Sequence, residues 1–210
     1  MVRSLLGGFE SEVARRMVHV SGSLVPLSHL AAPDVVTWQV VQAIVAVGLI
    51  GALALEVIRL GLGLDWWIYD HLTREYEQDN LAGYALAVIS AAVVVFAVPP
   101  TIAIPSILML TLGDPISGLL GADDSQFVGR PGTFEVIRKP PSVLGIMFVV
   151  CTVIALPFVY DTNPLVAVFG GAAAMLADGL KPVIFTYVID DNLSIPLAAA
   201  AALSLGLAVV

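Results

Sequence analysis

Long runs of apolar residues alternate along the chain with short polar stretches, and this pattern predicts a bundle of membrane-crossing helices. Several runs reach the roughly 20 residues that a helix needs to span the hydrocarbon of a bilayer. The predicted spans lie near residues 14–32, 36–60, 81–98, 101–121, 142–160, 163–181 and 193–210. The first is the least regular, because His19, Pro26 and His29 interrupt it, and a re-entrant or interfacial segment is the alternative there.

The predicted fold is an all-α integral membrane protein, a bundle of about seven transmembrane helices that forms one domain over residues 1–210. No tandem repeat and no low-complexity linker divides the chain. Only Pro99 and Pro100 separate the third and fourth spans. A tight break is expected there, because the first proline lacks a backbone donor.

Composition supports a membrane protein and narrows its partners. Hydrophobic residues make up 59% of the chain and charged residues only 12%, whereas soluble domains carry about 25% charged residues. So few charges do not cover a surface that faces water. The formal net charge is −8, and no basic stripe is present that would bind nucleic acid.

The basic residues predict the orientation in the membrane. With the N-terminus inside, the outward connections 33–35, 99–100 and 161–162 contain no lysine or arginine. The basic residues that then fall on the inner side are Arg3, Arg15, Arg16, Arg59, Arg74, Arg130, Arg138, Lys139 and Lys181. This distribution obeys the positive-inside rule. It predicts a multi-pass protein of the cell membrane whose polar chemistry lies at the cytoplasmic face.

One acidic residue stands out inside an apolar span. Asp114 belongs to the stretch L-G-D-P-I-S-G-L-L-G at 112–121, near the inner end of the fourth predicted span. A carboxylate at such a position is costly to insert and is a candidate functional residue. The glycines around it allow a ligand or a second backbone to approach closely, and helix packing through small residues is the alternative explanation for them.

Further acids lie at the ends of the last two spans. Asp190, Asp191 and Asn192 precede or begin a helix, where they could bind Mg²⁺ or simply cap the helix. Asp178 could be a further ligand, or it could pair with Lys181. The predicted metal ligands are Asp114, Asp178, Asp190 and Asp191.

Cationic side chains near the same ends could hold phosphate groups. They are Arg15, Arg16 and His19 near the N-terminus, and Arg130, Arg138 and Lys139 in the loop before the fifth span. Arginine binds phosphate in a bidentate manner and lysine binds it as a point charge. Anchoring of helix ends to anionic lipid headgroups is the alternative. Glu56 and Arg59 share a helix face, where an internal ion pair is equally expected.

Several common catalytic motifs are missing from the chain, including the P-loop, the protein-kinase set and the zinc-protease and serine-hydrolase motifs. Carboxylates and cations on one membrane face still fit phosphoryl or nucleotidyl transfer. That chemistry depends on a metal ion, positive clamps and positioning more than on a nucleophile from the protein.

Taken together, these stretches resemble the family of dolichol kinase, phytol kinase and CTP-dependent diacylglycerol kinase. The most specific parts are the G-D segment at 112–121 and the D-N-x-x-x-P segment at 190–197. The weaker parts are E-x-x-R-R-x-x-H at Glu12, Arg15, Arg16 and His19, E-V-I-R at Glu56–Arg59, and Lys139, Ser142 and Gly145. The resemblance covers nearly the whole chain. The chain departs from the family at Pro115–Ser117, at Asp178, where the family often has Glu, and at Pro140–Pro141.

The resemblance implies a CTP-dependent kinase that acts with Mg²⁺ on a membrane isoprenoid alcohol of the dolichol or polyprenol type. The candidate catalytic residues are Asp114, His19 and Lys139, and either Asp114 or His19 would accept the hydroxyl proton. The candidate nucleotide-binding residues are Arg15, Arg16, Arg130, Arg138, Lys139, Ser142, Asp191 and Asn192.

Two other functions are compatible with parts of the pattern. A lipid cytidylyltransferase, which makes a CDP-lipid, also uses CTP and Mg²⁺. A small multi-span transporter is the second alternative, but transporters place polar residues near the membrane midplane in repeated halves. Here the acids lie toward one face and no repeat is present.

Overall fold

A computed structural model describes most of the chain, with gaps at the N-terminus and in the polar connections. The described residues are 16–63, 66, 69, 73, 77–121, 126–129, 135–184 and 187–209. Arg15 and Arg130, two of the predicted phosphate-binding residues, lie outside them.

The described residues are mostly helical. A helical segment at 16–22 continues through a turn at Ser23 into α1 (Leu24–Ala31). The later helices are α2 (Trp38–Glu56), α3 (Gly83–Ala97), α4 (Pro100–Leu108), α5 (Asp114–Leu120), α6 (Pro141–Val159), α7 (Leu165–Gly179) and α8 (Asp191–Val209). Two wider π-helical turns extend these helices: Val57–Gly61 follows α2, and Met109–Gly113 joins α4 to α5.

The helices coincide closely with the predicted spans. Four of them are long and apolar enough to cross a membrane, namely Trp38–Gly61, Pro100–Leu120, Pro141–Val159 and Asp191–Val209. The apolar helices α3 and α7 have 15 residues each, which gives about 22 Å of length. That is shorter than the hydrocarbon core of about 30 Å. The mostly helical prediction is confirmed, and the number of seven crossings stays a prediction.

A small antiparallel sheet departs from the predicted all-α fold. Its strands are β1 (Gln126–Gly129), β2 (Glu135–Arg138), β3 (Leu180–Ile184) and β4 (Tyr187–Val188), in that spatial order. Helix α7 therefore ends at Gly179, and the predicted span to 181 runs too far. Ile137 pairs with Lys181, because α6 and α7 pack side by side and bring their polar flanks together. The β-branched residues of these flanks favour extended backbone.

The most enclosed helix is the continuous stretch Pro100–Leu120, which packs against α6 and α8. Met109, Met147 and Leu203 belong to the core around it. Cys151, which the sequence predicts as a buried apolar residue, also lies in this core. Helices α2 and α6 instead turn large apolar side chains outward, a surface suited to hydrocarbon.

The packing of α6 on α7 depends on Gly171. A Cβ atom at this position would overlap Thr152 Oγ1 and would lie 2.9 Å from the Thr152 backbone nitrogen. A rigid backbone atom does not yield to such a contact as a flexible side chain would. Any side chain at position 171 therefore pushes the two helices apart.

We predict that Gly171→Ala lowers the free energy of unfolding by about 1–3 kcal/mol relative to Gly51→Ala, because extra atoms strain a well-packed interface. Gly51 is the matched control, since it lies in α2 and a Cβ there meets no atom within 4 Å. Both substitutions gain the same helix propensity, so the difference between their free energies of unfolding measures the effect of the steric clash. Unfolding in detergent measures both variants, and equal stability would contradict the packing described.

Candidate functional site

Three carboxylates from different helices converge at the polar end of the bundle. They belong to Asp114 at the start of α5, Asp178 near the end of α7, and Asp191 at the start of α8. One oxygen of each lies within 4.8 Å of the others. Asp178 is fully buried and Asp191 nearly so, while the Asp114 side chain is 20% exposed. Three of the four predicted metal ligands are thus brought together.

Lys139 lies among these carboxylates. Its Nζ donates hydrogen bonds to Asp114 Oδ1 at 2.8 Å and to Asp178 Oδ1 at 2.6 Å, and it lies 3.3 Å from Asp191 Oδ2. Lys181 contacts the same oxygen of Asp191, with its Nζ 2.5 Å from Asp191 Oδ2. Asp178 therefore pairs with Lys139, and the alternative pairing of Asp178 with Lys181 is wrong.

The electrostatics of the cluster fix Lys139 in its charged form. Burial by itself would lower the pKa of its ammonium group, but the carboxylates of Asp114, Asp191 and Asp178 raise that pKa well above the ordinary value. Lys139 is therefore protonated at physiological pH.

Backbone contacts hold Lys139 at this point. Its backbone nitrogen donates to the Gly179 oxygen at 3.2 Å, which continues the pairing of β2 with β3 up to the end of α7. Shortly after it, Ser142 Oγ donates to the Gly121 oxygen at 2.8 Å. These two bonds tie the stretch between β2 and α6 to the ends of α7 and α5. Ser142 is a predicted nucleotide contact, but its hydroxyl donates its hydrogen to the Gly121 oxygen.

In the Asp190–Asn192 turn, Asp191 belongs to the carboxylate cluster, whereas Asp190 and Asn192 bond to each other and to neighbouring groups. Asp190 Oδ1 accepts a hydrogen bond from the Asn192 backbone nitrogen at 3.0 Å and a second, short one from Asn192 Nδ2. The Asn192 backbone oxygen accepts from Ser90 Oγ at 2.7 Å. Asp190 thus caps α8, and its carboxylate is not among the three that converge, so its role as a metal ligand stays a prediction. Asp190 and Asp191 differ in this way because neighbouring residues at a helix start point in different directions.

The N-terminal segment lies beside α5. Arg16 Nη1 contacts the Pro115 oxygen at 3.5 Å, and a Cβ atom at Gly118 would lie 3.2 Å from Arg16 Nη2. His19, one turn further along, is within electrostatic reach of Asp114. Two residues of the predicted N-terminal motif are therefore near the carboxylates, whereas Arg138 is exposed at the end of β2.

Glu56 and Arg59 form the internal ion pair, with Arg59 Nη2 2.6 Å from Glu56 Oε2. The Tyr84 hydroxyl donates a short hydrogen bond to Glu56, and the Ala82 backbone nitrogen donates to it at 3.2 Å. Arg59 in turn donates to backbone oxygens of the connection before α3. This network fixes the end of α2 to the start of α3.

The convergent carboxylates fit a hard divalent cation. Such ions take oxygen ligands, and all three side chains offer carboxylate oxygens. In the described part of the chain, Asp178 Oδ2 is buried and has no hydrogen-bond partner, which is costly for a carboxylate oxygen. A metal ion beside it would satisfy that atom. The sequence did not identify Lys181 as part of this cluster, although a lone lysine beside an apolar span was a usable signal.

Comparisons of the chain with protein-family models, with curated proteins and with solved structures return no match.

We predict that Lys139→Met destabilises the protein by about 3–5 kcal/mol, because it leaves buried carboxylates without their shared partner. Lys181→Met should cost less, since Lys181 contacts Asp191 alone among the three carboxylates. Arg138→Met, a neighbouring change at an exposed position, is the control. Acid should restore part of the stability of Lys139→Met, because protonated carboxyl groups do not repel each other. Unfolding measured against pH tests this, and equal stability of all three variants would contradict it.

Proposed function

We propose that this chain is a CTP-dependent kinase that phosphorylates a membrane isoprenoid alcohol of the dolichol or polyprenol type. The observation that carries the proposal is the cluster of Asp114, Asp178 and Asp191 with Lys139 and Lys181, at the polar end of long apolar helices. Such a position suits a reaction between a lipid, which stays in hydrocarbon, and a nucleotide, which stays in water.

The resemblance to the dolichol kinase family supports the proposal through the residues that meet here. Asp114 comes from the L-G-D-P segment and Asp191 from the D-D-N-L-S-I-P-L segment, the two most specific parts of the resemblance. Lys139, which matches the basic position of the family, contacts both carboxylates. Residues that are distant in sequence but share a motif set are expected to converge at an active site.

Mg²⁺ is the proposed metal, held by Asp114, Asp178 and Asp191. When bound, it would neutralise charge on the phosphates of the nucleotide. The two lysines lower the negative charge of the cluster, which lets a triphosphate approach the carboxylates. Arg16 beside α5 and Arg138 at the end of β2 are the further described candidates to bind phosphate oxygens.

The transfer itself has a simple balance of bonds. The lipid hydroxyl oxygen bonds to the γ-phosphorus of CTP, the bond from that phosphorus to the bridging oxygen breaks, and CDP leaves. The hydroxyl proton goes to a base on the protein, either His19 or the Asp114 carboxylate. His19 is the better placed for the lipid, because it lines an apolar cavity next to the cluster.

We place the site at the cytoplasmic face of the cell membrane, where nucleotides and Mg²⁺ are available. The positive-inside rule supports this orientation, since Arg59, Lys139 and Lys181 all lie at helix ends on the side of the carboxylates.

The direct test is to incubate the purified protein with γ-labelled CTP, Mg²⁺ and a panel of lipid alcohols. Label in a lipid monophosphate, with CDP released, supports the kinase. A CDP-lipid with labelled pyrophosphate would instead identify a cytidylyltransferase. Solute accumulation in vesicles without either product would indicate a transporter.

We predict that Asp114→Asn lowers kcat by about a hundredfold or more, because it removes a charge that positions the metal and the phosphates. The same change at Asp161, which is exposed in the turn between α6 and α7, is the matched control and should leave the rate unchanged. Steady-state kinetics on both folded variants decides it. A normal rate for Asp114→Asn would remove this residue from the mechanism.

We also predict that Lys139→Ala lowers kcat/KM for CTP more than His19→Ala does. Phosphoryl transfer depends mainly on positioning and charge neutralisation. Loss of the Lys139 ammonium group should therefore lower the rate of transfer more than loss of the His19 imidazole as a base. CTP is varied at saturating lipid alcohol, and rates are normalised to the folded fraction of each variant. A greater loss with His19→Ala would place the imidazole closer to the reacting atoms.

A further inference from the structure

A cavity of about 360 Å³ lies between the N-terminal segment and helices α1, α2, α3 and α4. Its lining is apolar at almost every position. The hydroxyl of Thr111 donates to the Ile107 oxygen at 3.1 Å, and the hydroxyl of Tyr84 is bound to Glu56. These two groups are satisfied within the protein. Among the described lining residues, His19 is therefore the polar side chain that a ligand in the cavity would meet.

One end of the cavity lies next to the carboxylate cluster. Arg16 contacts α5, His19 lies one turn further along the same segment, and a Cβ atom at Gly22 would lie 3.2 Å from Thr111 Cγ2. Thr111 precedes Asp114 by a single turn of the chain. Away from this end, the cavity is lined by apolar side chains such as that of Val41.

We propose that this cavity binds the hydrocarbon chain of the acceptor alcohol and places the hydroxyl at His19, beside Asp114. The inference rests on the proposed kinase function and assigns the lipid to a defined part of the fold. A single prenyl or acyl chain with a terminal hydroxyl matches a lining that is apolar along its length and polar at one end.

Volume and access favour this occupant over others. Small-molecule sites measure about 300–1,000 Å³, so this cavity accepts the part of one chain nearest the hydroxyl rather than a two-chain phospholipid. None of the described residues that line it is an arginine or lysine that could pair with phosphates. Ile44 and Gly48 are exposed where they line it, so it opens sideways on α2. A membrane lipid could enter there without passing through water.

The matched pair Gly48→Leu and Gly51→Leu tests the site. A Cβ atom at Gly48 has its nearest neighbour, Val88 Cγ1, at 3.8 Å, so the first atom fits and the rest of the leucine fills the cavity. Gly51 lies one turn away on the same helix, does not line the cavity, and has no atom within 4 Å of its Cβ position. Both variants add the same apolar bulk to α2.

The measurement is photolabelling in phosphatidylcholine liposomes with a diazirine analogue of geranylgeraniol, without nucleotide or Mg²⁺, followed by peptide mapping. Wild type and Gly51→Leu should be labelled at residues such as Val41 and Ala91, with about tenfold less label in Gly48→Leu. Unmodified geranylgeraniol should compete. Equal labelling of the two variants, or failure of unmodified geranylgeraniol to compete, would overturn the proposal.

This binding measurement separates the two proposals. Specific labelling of the cavity without any lipid phosphorylation would retain the lipid site and reject the kinase. Normal phosphorylation by Gly48→Leu would retain the kinase and reject the cavity as the acceptor site.

Discussion

The fold depends on one buried ammonium group placed among three carboxylates. Asp114, Asp178 and Asp191 would repel one another strongly in an apolar interior, where charges are poorly screened. Lys139 makes their approach possible, and with it the meeting of α5, α7 and α8. The same arrangement is costly to build and hard to explain by stability alone, which is why a role in binding phosphate or metal is the natural interpretation.

The small sheet explains how a lysine from a polar loop reaches the interior. Strands β2 and β3 pair directly before α6 and directly after α7, so the helical hairpin and the sheet brace each other. Lys139 follows β2 and Lys181 lies on β3. These two lysines, which contact Asp191, are therefore positioned by the sheet, while the three carboxylates are positioned by helices. The cluster therefore requires both the helices and the small sheet.

The sequence was informative where the physics is local. Apolar runs predict the helices well, since burial in hydrocarbon demands length and apolarity, and isolated acids such as Asp114 stand out against them. The sequence was less informative where the site depends on which charged side chains contact each other. Nothing local shows that Asp178 meets Lys139 rather than Lys181, or that Asp191 enters the cluster while Asp190 caps α8. The strands were missed because they are short, and because the pairing of β2 with β3 joins segments that are distant in sequence.

The π-helical turn at Met109–Gly113 has a consequence for how this chain tolerates insertions and deletions. A wider turn holds more residues than an α-helical turn over the same length. Each residue of an α-helix advances the side chain by about 100°, so the wider turn sets the direction in which Asp114 leaves the helix. Removing one residue from this segment would barely shorten the helix. It would instead rotate α5 about its axis and carry the carboxylate away from Lys139. The position of Asp114 in the carboxylate cluster thus depends on a single irregular turn.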